Sequence, residues 1–181
     1  MSRVRRKAAV LLAAAVFAGG LPAAKVEAHS ASDAYLSLHV VSGATAGPLH
    51  LAGQWDIALR DLDFVLRLDA DGNGHLTWGE VRRRQAAITA YVFQHLQLRA
   101  GAGTPCRIAP GPLRIDDHAD GAYAALSFEV TCRGAPAKLA LDYGLFFAVD
   151  PSHRGIFVFD SSAGTATAVL SPEHATLDLA L

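Results

Sequence analysis

The chain has 181 residues, with 16 lysines and arginines against 17 aspartates and glutamates, and 51% of it is hydrophobic. That length builds one domain with a real core, the near-neutral charge excludes an electrostatic nucleic-acid footprint, and the apolar fraction excludes a disordered chain. Two cysteines are too few for a disulfide-dense scaffold or a four-cysteine zinc site.

Residues 1–28 read as a cleavable secretory signal. Arg3, Arg5, Arg6 and Lys7 make a positive head, an apolar run from Ala8 to about Ala24 follows, and Val26-Glu27-Ala28 places small residues where a peptidase needs them. The alternative is a retained membrane anchor. The run is Ala-rich, is interrupted by Gly19, Gly20 and Pro22, and falls short of the roughly 20 apolar residues that span a bilayer. Cleavage after Ala28 removes five basic residues and one acidic residue, leaving 11 and 16, so residues 29–181 carry a net −5 with Lys138 as the sole lysine. An acidic exported domain suits cation binding. The expected location is periplasmic or secreted, with no transmembrane span in the mature chain.

Tyr35–Val41 reads as a strand. From Leu49 the alternation is clean: Leu49, Leu51, Gly53, Trp55, Ile57 and Leu59 fall on one face, while His50, Gln54, Asp56 and Ala58 fall on the other. The period then changes, and Leu62, Val65 and Leu66 mark a short helix before an acidic, glycine-bearing loop. Beyond the loop, Val81, Ile88, Tyr91, Val92 and Leu96 predict a helix to about Leu98.

The loop between those helices carries the chemistry. Asp69-Ala70-Asp71-Gly72-Asn73-Gly74-His75-Leu76-Thr77-Trp78-Gly79-Glu80 matches the twelve-residue EF-hand pattern at its diagnostic positions. Ca²⁺ is a hard cation that takes six to eight oxygens. Asp69, Asp71 and Asn73 offer side-chain oxygens at positions 1, 3 and 5, and Gly74 permits the sharp turn at position 6. His75 at position 7 offers only its backbone carbonyl, Thr77 acts at position 9 directly or through water, and Glu80 closes the shell at position 12. Thr77 and Glu80 also fit a helix capping box, which leaves Asp69, Asp71, Asn73 and Gly74 unexplained. The chain holds a single such loop, whereas EF-hands usually pair. A lone exported hand is expected to bind weakly, at about 10⁻⁴–10⁻³ M, and to act structurally.

Beyond Gly103 the chain reads as strand again, over Cys106–Ile115, Ala122–Cys132, Lys138–Phe147, Gly155–Asp160 and Thr165–Leu170, with Ala175–Leu181 a weaker sixth. The fold class expected is α+β: an antiparallel, β-rich, sandwich-like domain over residues 29–181, with the helix–loop–helix inserted at about 60–98. A hairpin turning through Asp117-His118-Ala119-Asp120 pairs residues whose numbers sum to 237 or 238, which sets Cys106 opposite Cys132. An exported protein makes a cross-strand disulfide of that pair; a redox or metal-binding thiol pair lacks the CxxC spacing.

Several weaker groups stand beside the loop. His29 at the mature amino terminus pairs an amine with an imidazole, a chelate for Cu²⁺ or Ni²⁺ if other histidines among His39, His50, His118, His153 and His174 converge on it. Asp116-Asp117-His118-x-Asp120 reads as a solvated turn or a second cation site, Asp150–Gly155 as a turn, and Arg82-Arg83-Arg84 as the solvated side of the exit helix or an anion contact. No Gly-x-Ser-x-Gly, His-Glu-x-x-His or phosphate-binding loop is present, and a triad of scattered Ser, His and Asp leaves no trace in sequence order.

Ala28-His29-Ser30-Ala31-Ser32-Asp33-Ala34-Tyr35-Leu36, Gly53-Gln54-Trp55-Asp56-Ile57-Ala58-Leu59-Arg60-Asp61-Leu62-Asp63, Asp120-Gly121-Ala122-Tyr123 and Asp150-Pro151-x-His153-Arg154-Gly155 together resemble the exported amino-terminal region of HupE/UreJ-type bacterial membrane proteins. The resemblance implies an accessory domain linked to nickel or cobalt uptake. A multi-helix membrane domain follows in such proteins; none lies within these 181 residues, so no permease activity is carried over. The sequence therefore predicts a non-enzymatic, calcium-binding exported domain. The alternative is a Cu/Ni-binding accessory protein using His29. The candidate partners are calcium, a separate membrane transporter and a second copy of the chain.

Overall fold

The computed structural model describes residues 32–43, 47–101 and 103–181; the expected signal peptide and His29 lie outside them. Two sheets share one core. The larger runs in the order β5-β6-β2-β1-β8-β9, from Arg107–His118, Gly121–Cys132, Leu49–Ala58, Asp33–Ser42, Arg154–Ser161 and Gly164–Leu170. The smaller runs β10-β7-β3-β4, from Thr176–Ala180, Lys138–Tyr143, Leu96–Ala100 and Thr104–Pro105. Every pairing is antiparallel except β1 with β8. The architecture is the expected α+β, β-rich domain, with one parallel pair in an antiparallel-dominated frame.

The period-2 pattern of β2 explains its place at the centre. Leu49, Leu51, Trp55 and Ile57 are all buried, and Trp55 packs on Tyr143 of the smaller sheet at 5.4 Å between ring centres. Phe93 at the end of the helical segment meets Trp55 and Phe128 edge-on, closing the core from a third side. Gly155 of β8 has no side chain because the Tyr143 ring lies there: a Cβ would stand 2.7 Å from its Cζ. Gly155→Ala is expected to cost about 1–3 kcal/mol by overpacking, read as a lower urea midpoint at unchanged slope.

Two expected elements differ. The exit helix is two pieces, α2 (Trp78–Arg83) and α3 (Gln85–Phe93). It ends before Leu96, where the His95 ring nitrogen meets the Tyr91 carbonyl at 2.7 Å. Leu96 and Leu98 then alternate with exposed Gln97 as strand β3. The spacing 88-92-96 continued the helical period by coincidence, and pairing with β7 and β4 overrode it. Strand β7 likewise stops at Tyr143 rather than Phe147, because residues 145–149 turn and Phe146 adopts φ 58°.

The cysteines do meet. Cys106 and Cys132 form a disulfide with Cα atoms 4.4 Å apart, the spacing of a non-hydrogen-bonded cross-strand pair. The hairpin closes with His118 opposite Gly121, and an irregularity between Pro110 and Leu113 shifts the register by one residue to Arg107 opposite Thr131.

Candidate metal centre

Helix α1 (Leu59–Leu66) grows directly out of β2, burying Leu59 and Leu62. It ends at Arg67 in the left-handed conformation, φ 51°. The Asp63 carboxylate then accepts the backbone N–H groups of Leu68 at 2.6 Å and Asp69 at 2.9 Å. Leu68 is fully buried, so Asp69, the first residue of the loop, hangs from an anchored residue.

The loop wraps around its own carboxylates. Asp69 accepts N–H bonds from Gly72 at 2.8 Å, Asn73 at 3.3 Å and Gly74 at 2.8 Å. Gly74 sits at φ 78°, the conformation glycine adopts without a steric penalty. Asp71 accepts from the Asn73 backbone at 3.2 Å and its side-chain amide at 2.9 Å, while Asn73 accepts from His75 N–H at 2.7 Å. At the far end, Thr77 caps α2 through a complete capping box with Glu80. One Glu80 oxygen accepts Ala70 N–H at 3.0 Å; the other accepts Thr77 N–H at 3.0 Å and Thr77 Oγ1–H at 2.8 Å.

Carboxylate oxygens of Asp69, Asp71 and Glu80 all come within 4.8 Å of one another. The Gly74 N–H above all holds Asp69 below the usual carboxylate range, and the Thr77 backbone N–H does the same for Glu80. Asp69 and Glu80 therefore remain ionised, and with Asp71 they converge into an all-oxygen donor set suited to a hard divalent cation. The His75 side chain is exposed and belongs to no such group.

The sheet supports the helices that flank this loop. α1 packs on β2 and β6, and α3 on β5. Leu76, at loop position 8, joins Leu59, Val81, Leu113 and Ile115 around an apolar cleft of about 430 Å³. Arg82 and Arg83 are solvated. Arg84 is exposed too, but its guanidinium donates to the Leu66 carbonyl at 2.7 Å and so ties the two flanking helices.

The other sequence-singled residues separate. No group of three candidate ligands among the described residues contains two histidines. His50 lies near Thr131 Oγ1 and His174 near Ser171 Oγ, each at 3.4 Å, and His39 is exposed on β1. Asp116, Asp117 and His118, read from the sequence as part of a turn, instead finish strand β5 paired with β6; the turn is residues 119–120, where Asp120 accepts from Arg60 at 3.0 Å and Tyr123 at 2.9 Å. Residues 150–152 form a turn around the Asp150 carboxylate, yet the adjoining His153 is fully buried.

Two arrangements had no signal in the sequence. Asp56, expected on the polar face of β2, is 9% exposed and faces His118 across the sheet. Ser32 Oγ lies 2.9 Å from Asp61 and 2.7 Å from His153 Nδ1, while His153 Nε2 lies 2.8 Å from the Tyr143 hydroxyl. That order is not a nucleophilic triad: the acid touches the serine rather than the imidazole. Both groups are assembled by strand neighbours distant in sequence. No known family model matches the chain, and no curated protein matches its sequence.

Proposed function

We propose that this is a non-enzymatic, exported calcium-binding domain whose single ion lies in the loop 69–80 and stabilises the fold. The convergence of the Asp69, Asp71 and Glu80 carboxylates within one hydrogen-bonded loop carries this reading. Asp69, Asp71, Asn73, Thr77 and Glu80 would hold the ion by side-chain oxygens and His75 by its carbonyl. Calcium there neutralises three crowded acids and joins the end of α1 to the start of α2. The Cys106–Cys132 disulfide supports an oxidising compartment. The signal-like residues 1–28, and the phrases shared with HupE/UreJ-type exported regions, support periplasmic placement beside a membrane partner. No helix among the described residues is long and apolar enough to cross a membrane.

With a dissociation constant of about 10⁻⁴–10⁻³ M, about 10 mM Ca²⁺ is expected to raise Tm by roughly 3–10 °C. Asp69→Asn and Glu80→Gln should abolish the shift. Gln still accepts the Thr77 N–H of the capping box but turns its amide NH2 toward the Ala70 N–H that Glu80 accepts, so Glu80→Gln should lower the calcium-free Tm slightly as well as abolish the shift. Differential scanning calorimetry with and without Ca²⁺ checks both; a parental shift that survives in these variants would overturn the reading.

A further inference from the structure

A second group of candidate ligands, of different chemistry, lies on the outer face of the large sheet. Asp56 projects from β2, and Asp116 and His118 from β5, with one donor atom of each within 4.8 Å of the others. Strand β6 runs between them, keeping the face open there with Ala125 opposite Asp56. The geometry points to a divalent transition cation of the Zn²⁺ class held by Asp56, Asp116 and His118, with further coordination positions open to solvent or a ligand.

The set is not a solvated turn of acids. Asp56 is 9% exposed, deep in a central strand, where an ionised carboxylate requires compensation. Its Oδ1 accepts Gln54 Nε2–H at 2.9 Å, while its Oδ2 faces His118 Nε2 at 3.5 Å. That separation is too long for a charge-assisted hydrogen bond, about 2.7–2.9 Å. It matches the edge of a tetrahedron around an ion with bonds of about 2.1 Å, roughly 3.4 Å. The His118 ring is held by stacking on Tyr123 at 4.0 Å and by Tyr35 at 5.3 Å, so the nitrogen is aimed without a ligand present. Gln54 orients Asp56 as an outer-shell partner does. One imidazole with two carboxylates favours a borderline cation, whereas the all-oxygen loop at 69–80 favours a hard one.

The test is a calorimetric titration of the untagged chain with Zn²⁺, with the loop saturated by excess Ca²⁺. One Zn²⁺ should bind, and the His118 ring resonances should shift with it. Outer-shell losses typically cost about 10–100-fold, so Gln54→Ala should weaken binding about tenfold and His118→Asn about a hundredfold or more. Asp116→Asn, at an exposed position, keeps the test available should Asp56→Asn fail to fold. Glu80→Gln should leave Zn²⁺ affinity unchanged. Undiminished Zn²⁺ binding in His118→Asn and Asp116→Asn, absence of binding to the parent, or loss confined to Glu80→Gln would each overturn the proposal.

Discussion

Replacing both cysteines, as Cys106→Ala with Cys132→Ala, is expected to cost the domain about 3 kcal/mol and to lower Tm by roughly 6–12 °C. The bridge closes a span of 26 residues. In the chain-entropy account, opening a loop of that size returns about that much freedom to the unfolded chain. The native location adds to it. Cys106 stands where the chain leaves the smaller sheet at β4 and enters the larger at β5, with its N–H on the Leu98 carbonyl at 2.8 Å. Strand β5 is an edge strand, and its pairing with β6 is interrupted between Pro110 and Leu113, where two prolines have no N–H to donate. Without the bridge, the stretch 107–110 is held by a short ladder beyond that interruption. Urea unfolding checks the cost, and a steeper denaturant slope should accompany it because the unfolded chain expands. Amide exchange should rise first in residues 107–109. An unchanged midpoint would show that β5 needs no tether.

The disulfide also marks how far sequence arithmetic reaches. Counting from the hairpin put Cys106 opposite Cys132 with a pairing sum of 238. The turn itself closes on 118 and 121, and the irregularity near Gly111 removes the extra residue before the cysteines. Gly111 stands at that position because a Cβ would lie 2.9 Å from the Ser127 carbonyl oxygen. The loop at 69–80 was legible because its donors are consecutive in the chain, and their spacing states their geometry. Asp56 and His118 were not legible as a pair. Their proximity depends on β6 lying between β2 and β5, and strand order is a property of the whole sheet. Leu96 failed for a local reason: a residue four after Val92 satisfies a helical period whether or not the helix continues, and only the pairing of Leu96 with Tyr143 decides the matter. His153 was hidden by its surroundings, since Asp-Pro-Ser-His reads as surface turn while its ring is drawn beneath Phe146 and beside Tyr143.

Between pH 6.5 and 4 the folded domain is expected to lose about 3 kcal/mol through His153 alone. The imidazole is fully buried, and burial pushes its pKa down to about 4. Asp150 pulls in the opposite direction, as does a hydrogen bond with the Ser32 backbone, and Arg154 adds to the depression. The network demands the neutral ring. Ser32 Oγ–H donates to Asp61 at 2.9 Å, so His153 Nδ1–H donates to Ser32 at 2.7 Å. The bare Nε2 accepts Tyr143 O–H at 2.8 Å, and burial raises the tyrosine pKa, which keeps that proton in place. The unfolded histidine takes up a proton near pH 6.5 while the folded one does not. Stability from this group is therefore complete above pH 6.5 and falls as pH drops toward 4. Asp61 works against the trend, because burial raises its pKa and the folded state binds that proton first. Carboxylates held low, such as Asp69, lose their contribution at still lower pH. Measured between pH 6.5 and 5 without calcium, the free energy of unfolding should therefore fall by about 1 kcal/mol per pH unit on average. Glutamine offers an amide donor and a carbonyl acceptor without a titrating proton, so His153→Gln should flatten that slope. A slope that persists in the variant, or a His153 resonance that titrates near 6.5 in the folded protein, would refute the buried neutral assignment.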